Sequence, residues 1–441
     1  MNRENLEKYL FGLILFLLFC PMMQQKFSLL QIGALDGYDP TKNTVKDSVF
    51  SSGIWHNGVY QQAFEQYQSK TFGFRNWAIR LHNQWDYSMF NQSNASSVVI
   101  GKEHYLYGID YVQAYNGEDF VGEERIKSNL DRYERVLDTL QKMGKKVIFT
   151  ILPNKARLYA EYLPNRYVKD RTNVQTNYDV YTTEMDKRGL SYIDFDEWFR
   201  TIKNTAEYPL FPQTGIHLTQ YGTKLFTDTL LNRIEQLTGK DIPELTWTNV
   251  ATSTRAKGED DDAEETLNLI FPMSYFPLPY ADSISFNYKD TTKTRLKSLA
   301  IGDSFYWEFI KWDGMKQVFD EGQFWYYYRD AHPYGPRDVR GLNLAQELAD
   351  KDVIIIINGA FNLWHFGFNF HTDFYQHFFR DEVINDPAFI EELIQEQMES
   401  AYKNQEWTNY MKQQAKELDQ PFETVLYNNA AYIVKQRLGI Q

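Results

Sequence analysis

The sequence predicts an α/β fold built around a mainly parallel sheet of five strands. The main reason is that two hydrophobic patterns alternate along the chain. Short runs of consecutive apolar residues, typical of strands buried on both faces, alternate with stretches in which apolar residues recur at helical spacing. This alternation indicates parallel strands connected by helices that cover both faces of the sheet. At 441 residues the chain has room for two or three domains.

The strands and helices follow from these patterns. Before the parallel sheet, Val98–Ile100 and the apolar residues at 104–107 predict a hairpin. We expect the five sheet strands at 147–152, 191–195, 299–301, 324–328 and 353–357. We expect helices at about 126–140, 178–187, 220–237, 305–310 and 342–348.

The N-terminus carries a wholly apolar run at residues 10–20, preceded by Arg3 and Lys8. We interpret residues 1–24 as an uncleaved signal-anchor, because no small residues mark a cleavage site after the run. A buried helix of the globular part is the alternative. The signal-anchor interpretation predicts a single-pass protein of the inner (cytoplasmic) membrane, with its globular part in the periplasm.

The remainder divides by composition. Residues 25–97 form an N-terminal extension, residues 98–380 the α/β domain, and residues 381–441 a polar helical appendage. An insertion at about 240–295 contains the acidic run 258–265, which is expected to be a solvated loop.

Composition excludes several classes of function. With 46 Lys and Arg against 59 Asp and Glu, the net charge of −13 argues against nucleic acid as a partner. The single cysteine, Cys20, excludes an intramolecular disulfide and a cysteine-based zinc site. We find neither a metal-binding histidine spacing nor a glycine-rich phosphate loop, and therefore predict no metal and no cofactor.

Two short motifs suggest acyl-transfer chemistry. Ser304 follows Gly302 and Asp303 where a strand ends and a helix begins, and ligands of open α/β sheets bind beyond such strand ends. His217 lies just before another helix, where its near-neutral pKa suits proton transfer from a serine. Each motif alone also fits a plain turn or a helix cap.

Together the motifs resemble the SGNH (GDSL-type) hydrolase superfamily and, within it, the AlgX/AlgJ-like branch of polysaccharide O-acetylation proteins. In that branch the His motif precedes the Ser motif, as it does here. The resemblance extends over about residues 98–369. It also rests on three further segments: Gly101-Lys102-Glu103, Leu152-Pro153-Asn154-Lys155 and Asn358-Gly359. It implies a three-layer α/β/α fold.

The resemblance implies that Ser304 is the nucleophile and His217 the general base. It also implies an oxyanion hole formed by the Ser304 amide and Asn358, with Asn362 as an alternative to Asn358. The family carries Asp two residues before its His, but this chain has Gly215 there.

The third member of the triad is therefore open. The candidates to orient the His ring are a backbone carbonyl, Thr214, or a carboxylate from elsewhere in the chain such as Asp194.

Basic side chains near the strand ends are candidate substrate ligands. Lys155 and Arg157 follow the strand at 147–152, and Arg329 follows three tyrosines. They are predicted to hold an anionic polysaccharide. A merely solvated loop is an equally good interpretation.

The expected function is that of a membrane-anchored O-acetyltransferase that acts outside the cytoplasm. It would acetylate an exported or cell-surface polysaccharide through an acyl-serine. The resemblance implies a membrane-bound O-acyltransferase as the donor partner. Two alternatives stay open: a carbohydrate esterase with the same Ser and His, and a non-catalytic polysaccharide-binding subunit.

Overall fold

A six-stranded sheet lies at the centre of the structure, a computed structural model that describes residues 3–37, 58–168, 174–273, 276–333 and 338–440. Its strands stand in the order β4-β3-β10-β7-β8-β9, and all neighbours are parallel except β8 and β9. The strands of the described chain are Val98–Ile100 (β1), Leu106–Gly108 (β2), Lys146–Leu152 (β3), Ile193–Asp194 (β4), Leu245–Ser253 (β5), Leu278–Phe286 (β6), Ser298–Gly302 (β7), Gln323–Tyr326 (β8), Asp330–His332 (β9) and Val353–Gly359 (β10).

The predicted α/β class is confirmed, and the sheet departs from the predicted one at its edges. The strand expected at 191–195 shrinks to the two residues of β4. The strand expected at 324–328 ends at Tyr326, since Tyr327 and Tyr328 adopt positive φ angles of 49° and 52°. This left-handed turn reverses the chain into β9, a sixth strand that the hydrophobic pattern did not predict.

Helices cover both faces of the sheet. The α-helices are Arg3–Phe27 (α1), Val59–Thr71 (α2), Arg75–Phe90 (α3), Ile109–Tyr115 (α4), Glu123–Lys142 (α5), Lys155–Leu158 (α6), Asn177–Arg188 (α7), Phe195–Ile202 (α8), Gln220–Thr238 (α9), Asp262–Leu267 (α10), Tyr306–Lys311 (α11), Gly314–Gln317 (α12), Leu344–Ala349 (α13), Phe370–Phe378 (α14), Arg380–Ile384 (α15), Pro387–Lys403 (α16), Gln405–Leu418 (α17) and Phe422–Leu438 (α18). Short 3₁₀ helices lie at Lys102–His104, Ala160–Tyr162, Asn165–Tyr167, Val339–Gly341 and Ala360–Asn369.

The central strand β10 shows why the domain has three layers. Its apolar residues are all buried, and alternate ones belong to two different hydrophobic clusters. Ile355 packs with helices α8, α9 and α11 on one face, and Ile354 and Ile356 pack with α5, α7 and α13 on the other. Successive strand residues point to opposite faces, so a strand buried on both sides needs an apolar residue at each position.

The insertion is more closely packed than the sequence suggests. Strands β5 and β6 pair as an antiparallel hairpin, and α10 lies between them in the chain. Within the acidic run, Asp260, Ala263 and Glu264 are buried, and Ala263 packs against strands β1 and β2. The expectation of a solvated loop is therefore wrong for much of this segment.

Helix α1 is apolar, and most of its side chains are exposed instead of packing against the globular part. Its segment Asn5–Phe27 is long and apolar enough to cross a membrane, and the most apolar 18-residue stretch within it contains no buried residue. Length and composition alone are weak indicators, because a signal sequence has the same properties.

The C-terminal helices attach to α5 through ion pairs. Arg132, whose side chain is 7% exposed, donates to both carboxylate oxygens of Glu392 at 2.6 and 2.9 Å. The guanidinium also lies 4.5 Å from the ring centre of Phe389. A bidentate pair of this kind fixes both distance and orientation, so it holds α16 in one position on α5.

We expect Arg132→Met to lower the free energy of unfolding by about 1–3 kcal/mol, because the largely buried Glu392 loses its counter-charge. Urea unfolding of the purified protein measures the change. Lys142→Met, which breaks the solvent-exposed pair with Asp138, serves as the control and should leave stability nearly unchanged. Equal effects of the two substitutions would contradict this role of Arg132.

Candidate active site

Ser304 lies beyond the carboxyl end of β7, next to the end of the central strand β10. The close approach of these strands depends on Gly302, because a Cβ atom there would lie 2.9 Å from both the Cβ and the carbonyl oxygen of Ile357. The Ser304 amide has no acceptor among the backbone and side-chain groups of the described chain. It therefore remains available to a ligand.

His217 reaches the same place from a loop that precedes α9. Thr219 caps that helix, since its hydroxyl oxygen accepts from the Gly222 amide at 3.1 Å. The Nε2 atom of His217 lies 2.7 Å from the Ser304 hydroxyl, within the 2.6–3.2 Å range expected for a nucleophile and its base. The two predicted side chains thus meet although their motifs are far apart in the sequence.

A carboxylate of the insertion, that of Asp262, is the third member beside Ser304 and His217. The Asp262 Oδ2 atom lies 2.5 Å from His217 Nδ1, and its Oδ1 atom accepts from the Ile216 amide at 2.8 Å. Asp262 therefore holds both the ring and the backbone beside it. Because one ring nitrogen faces a carboxylate, that nitrogen carries the proton and Nε2 is left to accept from Ser304.

The electrostatic surroundings favour a protonated His217. Burial by itself would lower the pKa of the ring, but the hydrogen bond and charge of Asp262, with the charges of Glu259 and Asp303, outweigh burial and raise it. Glu259 lies 3.5 Å from Nδ1 and is itself paired with Lys311 at 2.6 Å.

The packing of the acidic segment explains why position 215 is a glycine in this chain. A Cβ atom at position 215 would lie 2.7 Å from the carbonyl oxygens of both Glu259 and Asp260. The acidic segment thus occupies the space that an Asp side chain at 215 would need, and it supplies Asp262 in its place.

The other candidates for the third member have different partners. The Thr214 hydroxyl donates to the Asp260 carbonyl oxygen at 3.2 Å. Asp194 caps α8 by accepting from the Glu197 amide at 2.9 Å, and it accepts from the Tyr178 hydroxyl at 2.6 Å. Asp262 thus replaces both as the group in contact with the His ring.

Lys155 is fully buried and does not face the solvent. Its ammonium group donates to the carbonyl oxygens of Gln213 at 2.9 Å and Gly215 at 2.7 Å. Burial lowers its pKa to about 7. Lys155, which was predicted to bind polysaccharide, therefore fixes the loop that carries His217 instead.

Arg157 is likewise engaged inside the protein. Its Nε atom donates at 2.7 Å to Asp196, a carboxylate with no exposed surface. Arg329 differs, because its side chain is 63% exposed and, among the residues that the structure describes, it forms an ion pair with the neighbouring Asp330 alone, at 2.8 Å. Of the three predicted basic ligands, only Arg329 is accessible to a polymer.

Asp303 and Asn358 connect the two strand ends. The Asp303 carboxylate is buried and accepts from the Gly359 amide at 2.7 Å and from the Asn362 side chain at 3.2 Å. Burial raises its pKa to about 6. Asn358 donates to the Gly359 carbonyl oxygen at 3.3 Å and accepts from the Gly367 amide at 2.8 Å.

These contacts favour a structural role for Asn358 rather than the predicted oxyanion contact. Its side chain is fully buried and engaged at both ends. Asn362, whose side chain donates to the carboxylate of Asp303 next to Ser304, stays the alternative.

His217, Glu259 and Asp262 also place ligand atoms within 4.8 Å of one another. A shared ion would need ligand atoms about 3 Å apart, because metal–ligand bonds of about 2.0–2.2 Å meet at wide angles. The 2.5 Å separation of His217 Nδ1 and Asp262 Oδ2 fits a hydrogen bond instead.

Asp262 is the residue that sequence reasoning missed. It stands among neighbouring acidic residues in a run that resembles a solvated segment. The one available signal was the combination of a missing Asp before His217 with an acidic insertion inside the domain.

Comparison with known proteins gives a consistent result. The family model described as the SGNH hydrolase-like domain of the acetyltransferase AlgX matches residues 98–274, which include His217 and Asp262. The probable alginate O-acetylase AlgJ of Pseudomonas syringae pv. tomato is 26% identical over 180 residues, which are 41% of this chain and 44% of that protein. The AlgJ of Pseudomonas fluorescens is 29% identical over 121 residues, 27% of this chain and 28% of that protein. The chain thus matches less than half the length of these curated relatives.

Among solved structures, the O-acetyltransferase domain of Pseudomonas putida AlgJ is 17% identical with a TM-score of 0.40, covering 61% of this chain and 92% of that one. The sequence matches confirm the resemblance that the motifs indicated: residues 98–274 are similar to the SGNH hydrolase-like domain of AlgX, and part of the chain is similar to AlgJ proteins.

Proposed function

We propose that this protein is an O-acetyltransferase that transfers acetyl groups to hydroxyls of an exported or cell-surface polysaccharide. The Ser304–His217–Asp262 contact carries the proposal, since it joins a nucleophile, a base and an orienting carboxylate at hydrogen-bond distances. The similarity to alginate O-acetylases supports the choice of acetyl group and polysaccharide.

In the first half-reaction, His217 Nε2 takes the Ser304 hydroxyl proton while the hydroxyl oxygen attacks the acetyl carbonyl of the donor. The tetrahedral oxyanion accepts a hydrogen bond from the free Ser304 amide, with Asn362 as the proposed second donor. The intermediate collapses to acetyl-Ser304, and the leaving group takes the proton from His217.

In the second half-reaction, a sugar hydroxyl gives its proton to His217 and attacks acetyl-Ser304. The new ester leaves on the sugar, and Ser304 regains its proton from the imidazolium. Asp262 stabilises that imidazolium in both halves, because its carboxylate lies against the ring nitrogen that keeps its proton.

The exposed apolar helix α1 supports anchoring in the inner membrane, with the globular part on the periplasmic side. In this arrangement a membrane-bound O-acyltransferase supplies the acetyl group, as the family resemblance implies. Arg329 is the one predicted basic ligand exposed enough to contact the polymer.

An esterase would use the same acyl-serine with water as the acceptor. The two activities can therefore be distinguished by adding an acceptor sugar and asking whether it becomes acetylated. The contact between Asp262 and His217 weakens the case for a non-catalytic binding subunit, because it supplies the carboxylate that position 215 lacks.

We expect Ser304→Ala and His217→Ala each to reduce turnover of an aryl acetate to near background. The double variant should be no worse than either single one, because the pair works as a unit. Release of the aryl alcohol is the measurement, and Ser283→Ala on β6 is the control. Unchanged polysaccharide acetylation in cells that carry Ser304→Ala would refute catalysis.

We expect Asp262→Asn to reduce kcat by about 10²–10⁴-fold, because the ring loses its orienting charge. Wild-type activity should fall as the pH drops through the raised pKa of His217, since the base must be neutral. In Asp262→Asn this acidic limb should move to lower pH, because burial then acts on the ring without its main opposing charge.

Asp194→Asn and Thr214→Val are the matched controls for the third position. Neither should move the acidic limb of the pH–rate profile. A shift with either variant, and none with Asp262→Asn, would assign the orienting role elsewhere.

We expect Lys155→Met to reduce kcat by about 10- to 100-fold with little change in KM, because the His217 loop loses two hydrogen bonds. Steady-state kinetics with the aryl acetate measures the split. Lys203→Met is the control, since Lys203 donates to the Leu158 carbonyl oxygen away from the site. Equal kcat values for both variants would contradict a role of Lys155 in positioning.

A further inference from the structure

Helix α3 has an orientation that is unusual for a helix of a globular domain, because its polar side faces the protein. Asn76 donates to the Gly33 carbonyl oxygen at 3.1 Å, and Asn83 donates to that of Leu267 at 2.8 Å. Gln84 accepts from the backbone amide of Phe271 at 3.0 Å. None of the 16 residues of α3 is buried. These hydrogen bonds, together with the packing of Tyr87 against strands β1 and β2, attach α3 to the rest of the chain.

The opposite side of α3 is apolar and open. Trp77, Leu81, Trp85 and Met89 recur every four residues on one face, and their exposed fractions are 55%, 60%, 60% and 59%. The Arg and Asp side chains of α3, at positions 75, 80 and 86, are half-buried. A continuous apolar face of this kind on a protein surface indicates contact with a membrane or with another molecule.

The turn between α2 and α3 touches the apolar helix α1. A Cβ atom on Gly73 would come within 2.8 Å of the Gln25 amide nitrogen and would collide with the Pro21 carbonyl oxygen, so Gly73 is needed for this contact. Gln25 also donates from its side chain to the Thr71 hydroxyl at 2.9 Å. Helix α3 is thereby tied to the C-terminal end of α1.

The contact with α1 sets the depth at which α3 would lie in a bilayer spanned by α1. The apolar part of α1 gives way to polar residues at Gln24, just beyond Met23. Pro21 and Phe27 are separated by about 9 Å along the helix at 1.5 Å per residue. The headgroup region on each side of a bilayer is about 5–10 Å deep, so the α2–α3 turn would lie level with it when α1 spans the bilayer.

We propose that α3 lies in the membrane interface, with Trp77, Leu81, Trp85 and Met89 inserted among the lipids at the end of α1. Tryptophan prefers this depth because its ring is apolar and its N–H can reach water. The partner is the lipid surface itself. It would hold the globular part at the bilayer at a second place, besides the anchor.

This inference rests on the proposed membrane anchoring by α1 and is independent of catalysis. The test uses the full chain in vesicles of phosphatidylcholine and phosphatidylglycerol, at high dilution of protein in lipid. In a Cys20→Ser background, Leu81→Cys carries an environment-sensitive fluorophore. Leu418→Cys on α17 is the matched control, because Leu418 is 55% exposed and apolar as well.

We expect a quencher on the lipid acyl chains to remove most of the emission at position 81 and little at position 418. Aqueous iodide should do the reverse. A label at 81 that behaves like the label at 418 would overturn the inference, and so would one shielded from iodide but untouched by the lipid quencher, which would indicate a protein contact. Failure of the chain to float with the vesicles would instead refute the anchor.

Discussion

The carboxylate of Asp262 is the constraint on which the candidate site depends. One oxygen accepts from the Ile216 amide and the other contacts the ring of His217, so a single side chain sets both the path of the loop and the direction of the base. The site is mostly shielded from water, with the His217 side chain 14% exposed. Charge interactions are stronger in such surroundings than in solvent, which explains why Asp262 can outweigh the burial of the ring.

The loop around this contact is held from several directions. Lys155 binds two of its carbonyl oxygens from beneath, and the Tyr111 hydroxyl donates to the Ile216 carbonyl oxygen at 3.1 Å. The Glu264 amide donates to the Thr214 carbonyl oxygen at 3.1 Å. A loop with its backbone groups satisfied in this way keeps its geometry without help from substrate, which is the condition for a pre-organised acyl-transfer site.

In helix α3 and in the acidic insertion, the burial of key residues is the reverse of what composition predicts. Each contains residues whose usual interpretation is reversed by context: apolar residues of α3 face outward, and Asp262 of a highly charged run faces inward. Composition predicts how well a segment is solvated. It does not predict which side chains of other segments pack against it.

The amino-acid sequence alone predicts the α/β class, all five parallel strands to within about two residues at each end, and the two motifs that supply Ser304 and His217. These depend on local patterns: apolar runs, helical spacing and turn residues. The partner of His217, the burial of Lys155 and the lack of space for a side chain at position 215 are evident only from the folded chain. Each of these depends on contacts between segments distant in the chain, and such contacts leave no periodic signal in the residues that make them.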